Sequence, residues 1–223
     1  MGVRQHPIIW LAALLAGASF FGAALAGLHG PAIIAWKGAG VALFALWAAR
    51  QAASRDGWWI AAVMALGALG DILLETHGLR IGGTAFAIGH LLAIALYLRH
   101  RRPALTPSQR ALGLIVVPFG ALTTFALAQG SPGLWPHVVY GTIVSVMAAT
   151  AWTSRFPRYQ TGIGAMMFLA SDLLIFAKAG GAVPAPVTQW LIWPLYFGGQ
   201  ALIVHGVVST LRGGAQPHAA PVT

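Results

Sequence analysis

The chain has 223 residues, of which 58% are hydrophobic and only 8% charged, and its mean hydropathy is +0.76. About a quarter of the residues of a soluble domain are charged, so this composition excludes an ordinary soluble protein and indicates side chains that face lipid. The net charge of +9 lies in short basic runs between apolar segments, a distribution typical of membrane topology and not of a nucleic-acid interface.

Eight apolar segments follow one another along the chain, each near the ~20 residues that a helix needs to cross a bilayer. They cover residues 8–26, 31–49, 58–76, 82–98, 111–129, 137–154, 161–178 and 186–211. We therefore predict an all-α polytopic membrane protein of about eight transmembrane helices in one bundle. We also predict that a single domain spans residues 1–211 and that residues 212–223 form a disordered cytoplasmic tail.

The basic residues predict the orientation of these segments. Two of them, Arg80 and Lys178, fall on one side of the membrane, and Lys37 lies inside a span. Ten fall on the other side: Arg4, Arg50, Arg55, Arg99, Arg101, Arg102, Arg110, Arg155, Arg158 and Arg212. The positive-inside rule then places both termini in the cytoplasm, in a multi-pass protein of the cell (inner) membrane.

The first segment resembles a secretory signal, because Arg4 precedes an apolar stretch that ends in Ala24-Leu25-Ala26. The stretch is longer than a usual signal core, and seven further spans follow it. We therefore predict that it is retained as a transmembrane helix.

A short sequence recurs in the third and seventh segments, where Gly70-Asp71-Ile72-Leu73-Leu74 resembles Ser171-Asp172-Leu173-Leu174-Ile175. If segments one to four are related to segments five to eight, the repeat is parallel and four-plus-four. It would place one aspartate on the third helix of each half.

Three of the four acidic residues, Asp71, Glu75 and Asp172, fall inside spans. A carboxylate in the membrane is costly unless it is paired or hydrated, so each is a candidate functional residue; the alternative is a neutral carboxyl that joins helices. At a rise of ~1.5 Å per residue, both aspartates lie about 20 Å from the cytoplasmic ends of their spans. Lys37 lies near the same depth. We predict Asp71 and Asp172 as an acid/base pair, with Lys37 stabilising them; the alternative for Lys37 is that its side chain extends to the outer membrane interface.

Further polar side chains lie at similar or slightly greater depth and could support this pair or bind substrate. They are His90 in the fourth span, Tyr140 in the sixth, and Tyr196 and Gln200 on one face of the eighth. A lone histidine in a membrane more often joins helices by a hydrogen bond than takes part in catalysis, and that alternative stays open for His90.

The sequence offers little support for a metal or a cofactor. No cysteine is present, which excludes thiolate ligands and cysteine nucleophiles. No span carries a His-x-x-x-His or Glu-x-x-His spacing, and no glycine-rich phosphate-binding fingerprint occurs. We predict neither a metal nor a cofactor.

Several short motifs occur together in a fixed order. They are Trp36-Lys37 and the segments 69–74, 82–90, 139–140, 164–172 and 196–203. In order and spacing, this set resembles the YhhN-like transmembrane family, which includes the lysoplasmalogenases. The resemblance implies hydrolysis of the vinyl ether bond of a lysoplasmalogen, a lysophospholipid substrate, to a fatty aldehyde and a glycerophospho-base.

The reaction implied by the resemblance suits two carboxyl groups. Protonation of the alkenyl carbon needs an acid, and the oxocarbenium ion that results needs a group that stabilises it and activates water. Two other classes of protein stay open at this point. A small carrier could also have eight helices, a repeat and intramembrane charges, and a structural membrane protein would need no catalysis.

Overall fold

The computed structural model of the protein describes residues 6–129 and 133–213, so the predicted tail lies outside the described residues apart from its first two positions. Within these ranges the chain forms seven helices long and apolar enough to cross a membrane. They are α1 (Pro7–Leu25), α2 (Pro31–Gln51), α3 (Arg55–Arg99), α4 (Pro107–Leu127), α5 (Leu134–Thr153), α6 (Ile163–Ala179) and α7 (Ala185–Gly213). A short π-helix, Arg158–Gly162, leads directly into α6.

Helix α3 contains two of the predicted spans, folded into a hairpin at Gly78. Its 45 residues are helical except at Gly78, whose φ of 80° and ψ of −179° are accessible only to glycine. The first arm (residues 55–77) and the second arm (residues 79–99) then run antiparallel. A methyl group on Gly70 would lie 2.7 Å from the Phe86 ring, and one on Gly82 would lie 2.6 Å from the Leu74 backbone.

Each arm of α3 is roughly 30 Å long at ~1.5 Å per residue, which matches the hydrocarbon thickness of a bilayer. The seven long helices of the described chain therefore make eight crossings, as the hydropathy predicts. The two predicted segments, 58–76 and 82–98, extend towards each other and meet at the bend, because residues 77–81 are helical except at Gly78. Eight crossings bring α1 and the end of α7 to one end of the bundle. The Gly78 bend lies at the other, which we call the bend end.

Small residues let the helices approach closely, as is usual where lipid supplies no hydrophobic force between helices. Gly17 of α1 and Gly40 of α2 both face the Phe197 ring of α7, and a methyl group on either would overlap it. Between α6 and α7, a methyl group on Gly164 would lie 2.7 Å from the Gly199 carbonyl oxygen. Helix α1 is thus packed into the bundle. The predicted four-plus-four repeat stays a prediction.

Candidate active site

A cavity of about 800 Å³ opens among α2, both arms of α3, α5, α6 and α7, towards the bend end. Asp71 and Asp172 both line it, and both are buried, with 2% and 5% of their surface exposed. Asp71 lies seven residues before the bend, or about 10 Å along the helix. The two predicted catalytic carboxyls therefore meet in one chamber, within electrostatic range of each other.

The Tyr196 hydroxyl of α7 donates a hydrogen bond of 2.7 Å to Oδ2 of Asp71. Gln200, one turn further along α7, is buried and its amide packs beside this tyrosine against Gly67. A buried polar group costs free energy unless it is hydrogen-bonded, so the hydrogen bond from Tyr196 fixes the position of the Asp71 carboxyl. The pairing joins the third and eighth spans.

The Tyr140 hydroxyl of α5 donates a hydrogen bond of 2.8 Å to Oδ2 of Asp172, and Nε2 of His90 lies 3.2 Å from the same hydroxyl. His90 thus reaches Asp172 through Tyr140 and not directly. The neighbouring Ser171 hydroxyl donates to the Ile192 carbonyl of α7 at 3.1 Å. These contacts hold Asp172 between three helices.

The two carboxyls have equivalent hydrogen-bonding environments. Each accepts a tyrosine hydroxyl on Oδ2, and no described residue donates a hydrogen bond to either Oδ1. One oxygen of each aspartate is thus available to a ligand in the cavity. Two such groups can donate a proton to, and accept a proton from, a molecule bound in the cavity.

Phe86 lines the cavity, and Phe168 packs edge-on against it, with ring centroids 6.1 Å apart. The Phe86 ring lies edge-on to Tyr196 with centroids 5.8 Å apart, and the Phe168 ring lies edge-on to both Tyr196 and His90, at 5.2 and 4.7 Å. A second cavity of about 10 Å³ lies behind Phe86 and is lined in part by Phe168, His90 and Gln200. The carboxyls therefore lie at the closed, apolar end of the chamber.

Lys37 forms an ion pair with Glu75, with Nζ 2.6 Å from Oε1. The sequence predicted the Lys37 ammonium beside the aspartates. It does lie within electrostatic range of Asp71, but its direct partner is Glu75. The reason is geometric, because Glu75 is one turn beyond Asp71 on the same face of α3 and nearer to Lys37 on α2. The Lys37 side chain is 13% exposed and that of Glu75 46%.

The structure brings six of the eight predicted site residues to the cavity wall, with His90 and Gln200 behind them. Sequence reasoning missed Phe86 as a lining residue. Trp193, which shares the helix face of Tyr196 and Gln200, also lines the cavity, and its indole Nε1 donates to the Gly17 carbonyl at 2.9 Å. Sequence reasoning also missed Arg80 and Lys178, which line the cavity near its mouth. The sequence does distinguish Arg80 and Lys178, because they are the exceptions to the positive-inside distribution of basic residues.

In the described part of the chain, no three His, Asp or Glu side chains cluster as metal ligands would.

Comparison with known sequences places the chain in a family. The profile of the YhhN family matches residues 32–207. The chain belongs to the YhhN family. Proteins named lysoplasmalogenase in Mycobacterium bovis and Mycobacterium tuberculosis are each 30% identical to it over 194 residues, which cover 77% of this chain and 69% of theirs. No solved structure matches the chain.

The residues matched by the YhhN profile include every residue that lines the cavity. All eight predicted site residues also fall within them. The resemblance drawn from the ordered motifs is therefore confirmed at the level of the family.

Proposed function

We propose that this YhhN protein is a membrane-embedded hydrolase that cleaves the vinyl ether bond of lysoplasmalogens. The products are a fatty aldehyde and a glycerophospho-base. The relatives named lysoplasmalogenase support this substrate class. The observation that carries the proposal is the pair of buried carboxyls, each positioned by a tyrosine, at the closed end of a chamber large enough for a lipid head.

In the proposed reaction, one aspartate is protonated and the other ionised. The first donates its proton to the alkenyl carbon that is not bonded to oxygen, and the C=C electron pair forms the new C–H bond. The oxocarbenium ion that results is stabilised by the second carboxylate, which also takes a proton from the attacking water. The hemiacetal then collapses: the second aspartate returns its proton to the glycerol oxygen, which leaves as an alcohol, and the first aspartate takes the proton of the hemiacetal hydroxyl as the C=O bond of the aldehyde forms.

The walls of the cavity suit the hydrocarbon chain of such a substrate. Ile88 and Leu91 of the second α3 arm and Val139 of α5 line the cavity and are each more than half exposed. On a transmembrane helix an exposed apolar side chain faces lipid. An alkenyl chain could therefore remain partly in the bilayer while its ether end reaches the aspartates.

Aldehyde release by purified protein tests the proposal. A 1-alkenyl lysophospholipid incubated with the protein in D₂O should give an aldehyde with one deuterium on the carbon next to the carbonyl, because the solvent proton is added there. In H₂¹⁸O the glycerol product should contain no ¹⁸O, because the bond broken is on the alkenyl side. A carrier would instead accumulate the lipid in vesicles without turnover. That result, with no aldehyde formed, would refute the proposal.

A further inference from the structure

The mouth of the cavity carries two cationic side chains that the proposed reaction does not use. Arg80 lies two residues after the Gly78 bend, and Lys178 lies in the last turn of α6; both line the cavity and both are exposed. Arg80 extends towards α5, with a guanidinium nitrogen 3.9 Å from where a Cβ on Gly133 would lie. Two helical hairpins thus each place one cation at the same opening.

No carboxylate side chain of the protein neutralises these cations. The sequence contains four acidic residues. Asp56 pairs with His100 and Arg99 at the opposite end of the bundle, and Glu75 pairs with Lys37. The other two, Asp71 and Asp172, accept hydrogen bonds from tyrosines deeper in the cavity. The opening is therefore positively charged, although it lies at the end of the bundle that has few other basic residues.

We propose that Arg80 and Lys178 form a phosphate-binding subsite for the head group of the substrate, an inference that rests on the proposed function. Arginine and lysine bind phosphate oxygens by charge-assisted hydrogen bonds. The subsite would distinguish alkenyl lipids that carry a phosphate from those that do not.

The spacing along α6 fits such a substrate. Lys178 is six residues beyond Asp172, which is an axial distance of about 9 Å at ~1.5 Å per residue. In a 1-alkenyl lysophospholipid, the phosphorus and the alkenyl carbons are separated by a short glyceryl chain, which spans roughly 7 Å with bonds of ~1.5 Å. With its phosphate at the mouth, the lipid can therefore place its vinyl ether between the aspartates.

A lysine in the last turn of a helix also interacts favourably with the helix dipole, so Lys178 could serve α6 alone. That role would not depend on which ligand is bound. The test therefore compares two ligands that differ only in the phosphate-base group.

The ligands are a 1-O-alkyl lysophospholipid, whose saturated ether is not hydrolysed, and the corresponding 1-O-alkylglycerol. Titration calorimetry of purified wild-type protein in a neutral detergent should show tighter binding of the phospholipid. The Arg80→Gln/Lys178→Gln variant should lose roughly tenfold in phospholipid affinity, the scale expected for two exposed charged contacts, and bind the alkylglycerol unchanged. The matched control is Arg110→Gln, an exposed arginine at the opposite end of the bundle, which should behave as wild type.

A double variant that retains the wild-type preference for the phospholipid would overturn the proposal. Inorganic phosphate at equal concentration should not displace the lipid; displacement would mean that the site binds a free anion and not a head group. Because the ligands are not hydrolysed, the proposed function is tested separately. Binding preference without vinyl ether turnover would refute the hydrolase and retain the subsite, whereas turnover without the preference would refute the subsite alone.

Discussion

At the scale of single residues, the tyrosines are as informative as the aspartates. Tyr196 and Tyr140 come from different helices, and each donates to Oδ2 of one carboxyl. A hydrogen bond to a charged group contributes about 1.5–3 kcal/mol, which corresponds to a rate factor of about 10–100 if it is needed in the transition state. The hydroxyls therefore have a measurable role in the proposed reaction.

We expect Tyr140→Phe and Tyr196→Phe each to lower kcat for a lysoplasmalogen by about 10- to 100-fold, because each frees one carboxyl from its donor. Steady-state aldehyde release measures the effect. Tyr159→Phe is the control, since that side chain is 73% exposed and lies outside the cavity. Normal kcat in both variants would mean that the two hydrogen bonds only join helices.

The Lys37–Glu75 pair gives a second prediction. Lys37 is the more buried partner and lies within electrostatic range of Asp71, so Lys37→Met should lower turnover roughly tenfold or more. Glu75→Gln should have a smaller effect, and the double variant should not recover turnover. A double-mutant cycle for turnover and for melting temperature separates the two roles. Recovery of turnover in the double variant would mean that Lys37 only neutralises Glu75 and has no role towards Asp71.

At the scale of helices, the Gly78 bend determines how the site is assembled. It folds α3 so that Asp71 on the first arm faces the same cavity as Phe86 on the second. A glycine with φ near 80° and an extended ψ cannot be replaced without strain, because a Cβ clashes with the backbone there.

Gly78→Ala should therefore destabilise the protein by about 1–3 kcal/mol, the usual cost of such a backbone conformation. Thermal unfolding in detergent, followed by circular dichroism, measures the change. Gly22→Ala is the matched control, because Gly22 lies within α1 and a methyl group there would meet no atom within 4 Å. Equal melting temperatures for the two variants would contradict a strained bend.

Hydropathy was sufficient to predict the spans, because a helix that crosses a bilayer must be long and apolar whatever its neighbours are. Predicted and observed bounds differ by only a few residues, as at α1 (8–26 against Pro7–Leu25) and α7 (186–211 against Ala185–Gly213). The form of the bend between the third and fourth segments was not predictable, since a helix broken at one glycine and a short loop have the same composition. The π-helix was missed because nothing in Arg158–Gly162 distinguishes its hydrogen bonding from that of an α-helix.

The candidate site was only partly predictable for a similar reason. Asp71 and Asp172 were identifiable because a carboxyl in the membrane is costly wherever it lies. Their tyrosine partners come from separate helices, and the partner of Lys37 depends on how α2 is rotated against α3. Those choices are made by helix packing, and one sequence does not determine them.

At the scale of the whole molecule, eight crossings require both ends of the chain on one side. The positive-inside rule predicts that this side is the cytoplasm, and that the cavity opens at the opposite face. Reporter fusions after Arg102 and Arg212 should be cytoplasmic, and fusions after Gln129 and Gly181 should lie on the other side. A fusion after Arg212 found outside the cytoplasm would contradict the α3 hairpin or the orientation.

Substitution of the two aspartates, Asp71 and Asp172, tests the proposed catalysis most directly. Asparagine keeps the size of aspartate and most of its hydrogen bonds, yet it neither supplies a carboxyl proton nor carries negative charge. Asp56→Asn is the control, because this acid pairs with His100 at the far end of the bundle. The measurement is lysoplasmalogen turnover by detergent-purified variants, normalised to folded protein and reported beside their melting temperatures.

We expect Asp71→Asn and Asp172→Asn each to lower turnover by about 10²–10⁴-fold, the usual loss when a general acid or base is removed, while the protein remains folded. Asp56→Asn should retain turnover per folded molecule. If the two aspartates only join helices, their neutral isosteres would be tolerated or even stabilising. Wild-type turnover in either variant would remove that residue from the catalytic pair, and wild-type turnover in both would contradict the mechanism.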